Sequence, residues 1–220
     1  GIRGVFGTDL TPENLARFTA AYGTWLKGGT VVLGRDSRVT GQICEDIVAS
    51  TLASVGCDVI KVGIVPTPTV AMGVLRHNAD GGIIFSASHN PAQWNALKLL
   101  NGTSEFMTAS EGKEMIAISD SGEFNYKMYD EIGSISEDND LLQYHIEEIL
   151  KLDYIDPEII RAAKLSVAVD AVNGAGSVGV PLLLEKLGIE TVHTIHCIPN
   201  GLFPHNPEPL PEHLTEICDL

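Results

Sequence analysis

The sequence predicts an α/β protein made of two tandem domains, each with a mixed, mostly parallel sheet sandwiched by helices. Short apolar runs alternate with segments of helical periodicity, a polar and acidic stretch at 122–140 interrupts this alternation, and the alternation then restarts. Strands that alternate with helices are typical of a parallel sheet covered on both faces. A polar stretch low in aliphatic residues is typical of a domain junction. We therefore expect one domain at 1–134 and a second at 135–220.

The first half contains clear helix starts. Thr11 is the predicted N-cap of the first helix and Pro12 its first residue, where the missing N–H removes no hydrogen bond. Thr108 and Glu111 have the spacing of a capping box for a later helix. Between them the sequence predicts a strand at 30–33, a helix at 41–55, a strand at 58–62, a helix at 69–77 and a strand at 82–86.

The second half repeats the same order of elements. Asp156 and Pro157 predict a helix start, and 165–169 reads as a buried strand that ends at Asp170. A glycine turn follows this strand. The remaining predicted elements are a helix at 177–187 and a strand at 190–195, which completes a second β-α-β unit.

Composition and charge limit the possible functions. The chain has 220 residues, 44% hydrophobic and 20% charged, enough to bury one large core or two smaller ones. Its formal net charge of −15 opposes binding to nucleic acid and acidic membranes, because affinity for these polyanions comes mainly from lysine and arginine. The sequence has no apolar run of membrane-spanning length and no secretory signal, so we expect a cytoplasmic protein.

The segment at 86–91, Ser-Ala-Ser-His-Asn-Pro, carries the strongest functional signal. A predicted buried strand leads into it, and Pro91 disfavours helical geometry in the residue before it. Ser88 is therefore expected at the carboxyl end of a strand, where open α/β sheets bind ligands. Taken alone, such a run is also a common polar turn.

A serine hydrolase is disfavoured by the same segment. Ser88 and His89 are neighbours in sequence, whereas a catalytic base reaches the nucleophile from across the site. The glycine pattern of a nucleophile elbow is also missing.

The segment closely resembles the active-site serine loop of the α-D-phosphohexomutases, the superfamily of phosphoglucomutase, phosphomannomutase and phosphoglucosamine mutase. Asn95 and Lys98 follow it as they do in that family. Further matches occur in the family's order at 1–4, 34–38, 65–68, 170–176 and 201–209. The resemblance covers nearly the whole chain and implies the first two of four domains, with domains III and IV missing.

The resemblance implies that Ser88 carries a phosphoryl group and gives it to a phosphorylated hexose. A bisphosphorylated sugar then turns over in place, so that hexose 6-phosphate and hexose 1-phosphate interconvert; the sugar would be glucosamine, mannose or glucose phosphate. Such chemistry needs mainly positioning and charge neutralisation. The alternative is a non-catalytic phosphosugar-binding relative, and the joint presence of Ser88 and Lys98 favours catalysis.

The resemblance also implies roles for neighbouring residues. Lys98 is expected to accept a proton or to act as an electrostatic clamp, and Arg3 is expected close to the phosphoserine, since a guanidinium suits phosphate oxygens. His89 is expected to orient the loop or to contact phosphate. Asn90 and Asn95 are expected to fix the turn. Arg35 and Arg38, together with Asp36, are expected either to support the serine loop as an ion-pair network or to contact substrate.

Family members bind one Mg²⁺ through an aspartate-rich loop of domain II and an oxygen of the serine phosphate. Of these ligands, this chain is expected to supply Ser88 through its phosphate, and the aspartates are expected beyond Leu220. The fragment alone is therefore expected to be inactive. His193 and His196 do not have the spacing of residues on one strand face, so no metal site is expected from that pair.

Overall fold

The computed structural model describes residues 1–220, and its first ten elements build one six-stranded sheet with helices. These elements are β1 (Ile2–Val5), α1 (Pro12–Trp25), β2 (Gly29–Arg35), α2 (Gly41–Ser54), β3 (Cys57–Ile64), α3 (Thr67–Arg76), β4 (Gly81–Phe85), β5 (Trp94–Asn101), α4 (Ala109–Ser121) and β6 (Ile135–Glu137). The strand order is β1-β5-β4-β2-β3-β6. Strands β4, β2, β3 and β6 pair in parallel, whereas β5 pairs antiparallel with both β4 and β1.

The sheet is covered on both faces, as the alternating sequence pattern predicts. Val31 and Leu33 of β2 point into a core cluster with α1, α2 and α4, whereas Val32 between them points into a second cluster. That second cluster contains residues of α3 and Leu141. Successive side chains of a strand face opposite sides, so one strand contributes to both cores.

A smaller parallel sheet of two strands follows. Its elements are α5 (Leu141–Leu150), α6 (Pro157–Ala162), β7 (Ser166–Asp170), α7 (Gly176–Lys186), β8 (Thr191–Ile195), a 3₁₀ turn (Pro211–His213) and α8 (Thr215–Cys218). Strand β7 pairs with β8. The expectation that β7 is buried is wrong: Val169 is its one buried residue, because a two-stranded sheet has few neighbours to cover it.

The predicted fold class is confirmed, and so are the helix starts. The Thr11 side chain accepts a hydrogen bond from the Asn14 N–H, and Thr108 and Glu111 form the reciprocal capping box.

Strands β1 and β5 were not among the predicted elements, and they provide the antiparallel pairings of the sheet. Strand β6 joins the first sheet across the predicted boundary at 134/135, and this boundary stays a prediction. The helices are all too short or too polar to span a bilayer.

Candidate active site

The serine loop leaves the carboxyl end of β4 in a strained turn. Ser88 is exposed and has a φ of 57°, in the left-handed region that non-glycine residues rarely adopt. Its N–H donates to Oγ of Ser86 at 3.2 Å, and the Asn90 N–H donates to the carbonyl of Ala87 at 3.1 Å. Such a conformation costs on the order of 1–3 kcal/mol and persists only where the surroundings enforce it.

Arg38 provides that enforcement from beneath the loop. Its guanidinium is fully buried, and its Nε donates to the Asp36 carboxylate at 3.1 Å. The Phe203 ring of the second domain lies 5.0 Å from the guanidinium carbon. Arg38 donates four further hydrogen bonds to backbone carbonyls of the loop, those of Ser88 (3.0 Å), Asn90 (2.7 Å), Pro91 (2.7 Å) and Trp94 (3.0 Å). Burial lowers the pKa of Arg38, and the charge of Asp36 opposes this.

Arg35 donates through Nη1 to the Asp36 carbonyl at 3.4 Å but has no hydrogen bond to the serine loop. Its guanidinium donates to Oε1 of Gln42 at 2.9 Å and lies 3.7 Å from the carboxylate of Glu45. Glu45 is buried and also contacts Lys61 at 3.4 Å. Arg35 therefore belongs to an ion-pair cluster on α2 and β3, away from the serine loop.

Arg3 of β1 contacts the serine loop, whereas Lys98 of β5 lines a cavity that does not include Ser88. Arg3 Nη1 donates to Oδ1 of Asn90 at 3.3 Å. Lys98 lies opposite Ile84 of β4 and lines, with Arg3, a cavity of about 670 Å³. The pKa of Lys98 is lowered, first by burial and then by the positive charges of Arg3 and Arg38, while Asp36 opposes the shift.

Removal of one of these neighbouring charges should raise the pKa of Lys98. In Arg3→Gln the protonated amine loses a repulsive neighbour, so we expect Lys98 to deprotonate at a higher pH than in the parent chain. NMR titration of ¹³C-methylated lysines measures this shift. Arg161→Gln in the second domain is the matched control and should leave the titration unchanged; an unchanged Lys98 in Arg3→Gln would refute the coupling.

Asn95 is a buried structural residue. Its side-chain oxygen accepts the Ala96 N–H at 2.8 Å, and its amide donates to Oγ1 of Thr40 at 3.0 Å. Asn95 has no exposed surface, so it ties β5 to the start of α2 instead of facing a ligand.

Ser88 faces a cavity of about 240 Å³ between the two sheets. Ser88, His89 and Asp36 line it from the first domain, and residues 171, 172 and 174–176 with Phe203 and Pro207 line it from the second. This second wall includes the first residue of α7, and a helix N-terminus favours anions such as phosphate. His89 lies 3.4 Å from Oγ of Ser88 through Nδ1 and 3.2 Å from the Glu208 carboxylate through Nε2.

Two features of this region were not singled out from the sequence, although Asp170, His205 and Glu208 lie in the matched segments at 170–176 and 201–209. One is Glu208, the partner of His89. The other is a cluster of Asp170, His196 and His205, three groups whose ligand atoms lie within 4.8 Å of one another and could hold a metal ion. His196 belongs to this cluster although no metal site was expected from the pair of His193 and His196, because the sequence did not show that Asp170 and His205 meet it; His193 is not a member. His196 and His205 lie 26 and 35 residues after Asp170, and separations of this length match no known metal-binding motif. The sequence predicted only that a strand ends at Asp170.

Comparison with known proteins identifies the family. A family model described as phosphoglucomutase/phosphomannomutase, alpha/beta/alpha domain I, matches residues 1–131, and the corresponding domain II model matches residues 143–220. The chain belongs to the phosphoglucomutase/phosphomannomutase family. The resemblance carried by the serine loop and the other motifs is thereby confirmed.

Individual relatives agree with this assignment. The chain is 38% identical to a phosphoglucomutase/phosphomannomutase of Thermococcus kodakarensis over 100% of its own length and 49% of the relative's. It is 36% identical to a "probable phosphoglucosamine mutase" of Methanopyrus kandleri, over 99% of this chain and 47% of that one. The crystal structure of a phosphoglucomutase/phosphomannomutase family protein from Burkholderia thailandensis matches with a TM-score of 0.81 and 25% identity, covering 98% of this chain and 47% of that chain. The chain thus spans about half the length of the relatives it matches.

Proposed function

We propose that this chain is the phosphoryl-carrying part of a phosphohexomutase. Ser88 would carry a phosphoryl group, donate it to a hexose phosphate and recover the other phosphate from the bisphosphorylated sugar. Hexose 6-phosphate and hexose 1-phosphate would thus interconvert, in an isomerase reaction on glucosamine, mannose or glucose phosphate. One observation carries the proposal: Ser88 is exposed at a strained position, above a buried arginine, and faces a cavity.

The surroundings of Ser88 suit phosphoryl transfer because positive charge converges on the loop. Arg3 reaches Asn90, two residues from the serine, and the start of α7 lines the opposite wall of the cavity. Phosphoryl transfer depends on such positioning and neutralisation of oxygen charge. Lys98 lines a cavity with Arg3, which contacts the loop, and would act either as proton acceptor or as an electrostatic clamp; its lowered pKa favours the proton acceptor, since a base must lose its own proton first.

Acyl transfer fits less well, although Ser88, His89 and Glu208 form a row. The 3.4 Å contact of Ser88 with His89 is at the long limit of a hydrogen bond. The side chains of His89 and Glu208 are 55% and 40% exposed, whereas a hydrolase triad orients its histidine with a buried carboxylate. The row is better explained as a loop contact between the two domains.

The Mg²⁺ ion of the family does not fit the residues of this chain by themselves. Mg²⁺ takes oxygen ligands in near-octahedral geometry. Ser88 and Asp36 offer oxygens at the cavity, but the Asp36 carboxylate already accepts two N–H groups of Arg38. The aspartate ligands of the Mg²⁺ ion would therefore come from residues outside 1–220. The elements that recognise the sugar are expected in domains III and IV and would also lie outside residues 1–220. We expect the whole protein to be cytoplasmic.

The test is intact-mass measurement on the full-length gene product after incubation with a hexose bisphosphate. We expect a species heavier by one phosphoryl group, its loss in Ser88→Ala, and at least about a 10³-fold loss of mutase activity. Ser110→Ala, at an exposed helix position, should retain both. An unmodified Ser88 in a protein that still binds hexose phosphate would favour the non-catalytic relative, which the mutase names of the curated relatives do not support.

A further inference from the structure

Asp170, His196 and His205 form a compact cluster behind the wall of the Ser88 cavity. Asp170 Oδ1 lies 3.2 Å from Nδ1 of His196, and Oδ2 lies 2.8 Å from Nε2 of His205. The two imidazole rings stand edge to face with centroids 5.4 Å apart. The Asp170 side chain is 4% exposed and both histidines are 18% exposed, so three potential ligands converge in a largely dry place.

The second ring nitrogen of each histidine lies near an oxygen acceptor. His205 Nδ1 lies 2.9 Å from the carbonyl oxygen of Asn206, and His196 Nε2 lies 3.3 Å from the carboxylate of Glu216. A metal-binding histidine almost always donates its other N–H to a carbonyl or a carboxylate in this manner. His205 meets this condition, whereas His196 has a carboxylate at ion-pair distance without the geometry of a hydrogen bond.

The His205 contact shows that a cation is needed between the groups. A carbonyl oxygen can only accept, so Nδ1 of His205 carries the hydrogen, and in the neutral ring Nε2 is left with a lone pair. That lone pair faces a carboxylate oxygen at 2.8 Å, and two electron-rich atoms at this distance repel each other. Either a second proton or a metal ion must lie there.

We propose that Asp170, His196 and His205 bind a divalent transition-metal ion of the zinc type. Imidazole nitrogen favours Zn²⁺ and its neighbours over Mg²⁺, which prefers oxygen. Tetrahedral Zn²⁺ with bonds of about 2.0–2.1 Å places its ligand atoms roughly 3.3 Å apart. The Asp170–His196 pair is near this value at 3.2 Å, whereas the Asp170–His205 pair, at 2.8 Å, would have to open when the ion binds. Water would complete the coordination. The site is distinct from the Mg²⁺ site of the family, whose expected oxygen ligands are not in this cluster.

The ion would join three segments that frame the Ser88 cavity. Asp170 ends β7, His196 follows β8, and His205 belongs to the loop at 201–209. This loop also contributes Phe203, which lies over Arg38, and Glu208, which contacts His89. A metal at the cluster would therefore fix the second-domain loop against the serine loop, and this inference does not depend on the mutase activity.

The experiment is calorimetric titration of the metal-free chain with ZnCl₂ in a Cys218→Ser background, which removes the exposed thiol as a competing ligand. We expect one equivalent to bind and to raise the unfolding temperature. His196→Ala and His205→Ala should each weaken binding by more than about tenfold. His193→Ala, an exposed histidine of β8 outside the cluster, is the matched control and should bind normally.

A conservative variant separates loss of ligand from loss of fold. Asp170→Asn keeps an oxygen for the Val172 N–H, which donates to Asp170 at 2.9 Å, but removes the charge. It should retain the parent circular dichroism and still lose zinc affinity. Absence of zinc binding in the parent chain, or binding as tight as the parent's in both histidine variants, would overturn the proposal and leave a cluster held together by protons.

Discussion

Replacing Arg38 with methionine is expected to lower the free energy of unfolding by about 3–5 kcal/mol, since removal of one partner of a buried ion pair leaves the other uncompensated. The stranded group is the Asp36 carboxylate. Four backbone carbonyls of the serine loop lose their donor as well. Each unpaired buried acceptor costs about 1–3 kcal/mol where water cannot replace the donor. The loop should therefore relax toward solvent, and the strained φ of Ser88 should be lost.

Urea unfolding followed by circular dichroism measures the stability change, and hydrogen exchange at 86–91 measures the loosening of the loop. Arg38→Lys should lie between the parent and Arg38→Met, because an ammonium offers three donors instead of a planar fork. Arg17→Met is the matched control: Arg17 is exposed and lies over the Phe18 ring, so we expect a change within about 0.5 kcal/mol. A loss below about 1 kcal/mol in Arg38→Met would mean that the guanidinium does not hold the loop.

The contrast between Thr108 and Arg38 explains what the sequence could predict. The capping box joins Thr108 to Glu111, three residues along the chain, so its partners are visible as a spacing. Arg38 finds carbonyl partners 50 to 56 residues away, and their positions depend on how β4 and β5 pair. No local sequence feature distinguishes Arg38 from Arg35, whose guanidinium contacts Gln42 and Glu45 in the folded chain. The position of Ser88 was readable because a strand and a proline fix it locally.

The second domain was harder to predict for a related reason. The run at 165–169 is apolar, and apolar runs of that length are typical of buried strands. Burial, however, depends on what covers the strand, and β7 has one partner strand, β8. The cluster around Asp170 depends in the same way on tertiary structure, because His196, after β8, and His205, in the loop at 201–209, are brought to Asp170 only by the fold. Strand ends can be read from sequence, whereas the partners that meet there are set by tertiary packing.

Gly201→Ala is expected to destabilise the contact between the two domains more than any other small change in the loop at 201–209. Gly201 is buried with a φ of 70°, a conformation that a side chain disfavours by roughly 1–2 kcal/mol. An added Cβ would also collide with the carbonyl oxygen of Ser37 and lie 2.8 Å from Cα of Arg38. The backbone cannot yield there without moving the arginine beneath the serine loop. We therefore expect a loss of more than about 2 kcal/mol.

Gly112→Ala is the control, and its expected change in the free energy of unfolding has the opposite sign. Gly112 lies inside α4 with open space around its Cα, so alanine should stabilise the chain by about 0.5–1 kcal/mol through helix propensity. Hydrogen exchange at 36–38 and at 86–91 should rise in Gly201→Ala and stay unchanged in Gly112→Ala. If Gly201→Ala unfolds like the parent and leaves exchange at 86–91 unaltered, the second domain does not stabilise the serine loop through this contact. Because Gly201 and His205 share one loop, zinc affinity at the Asp170 cluster should fall together with loop protection.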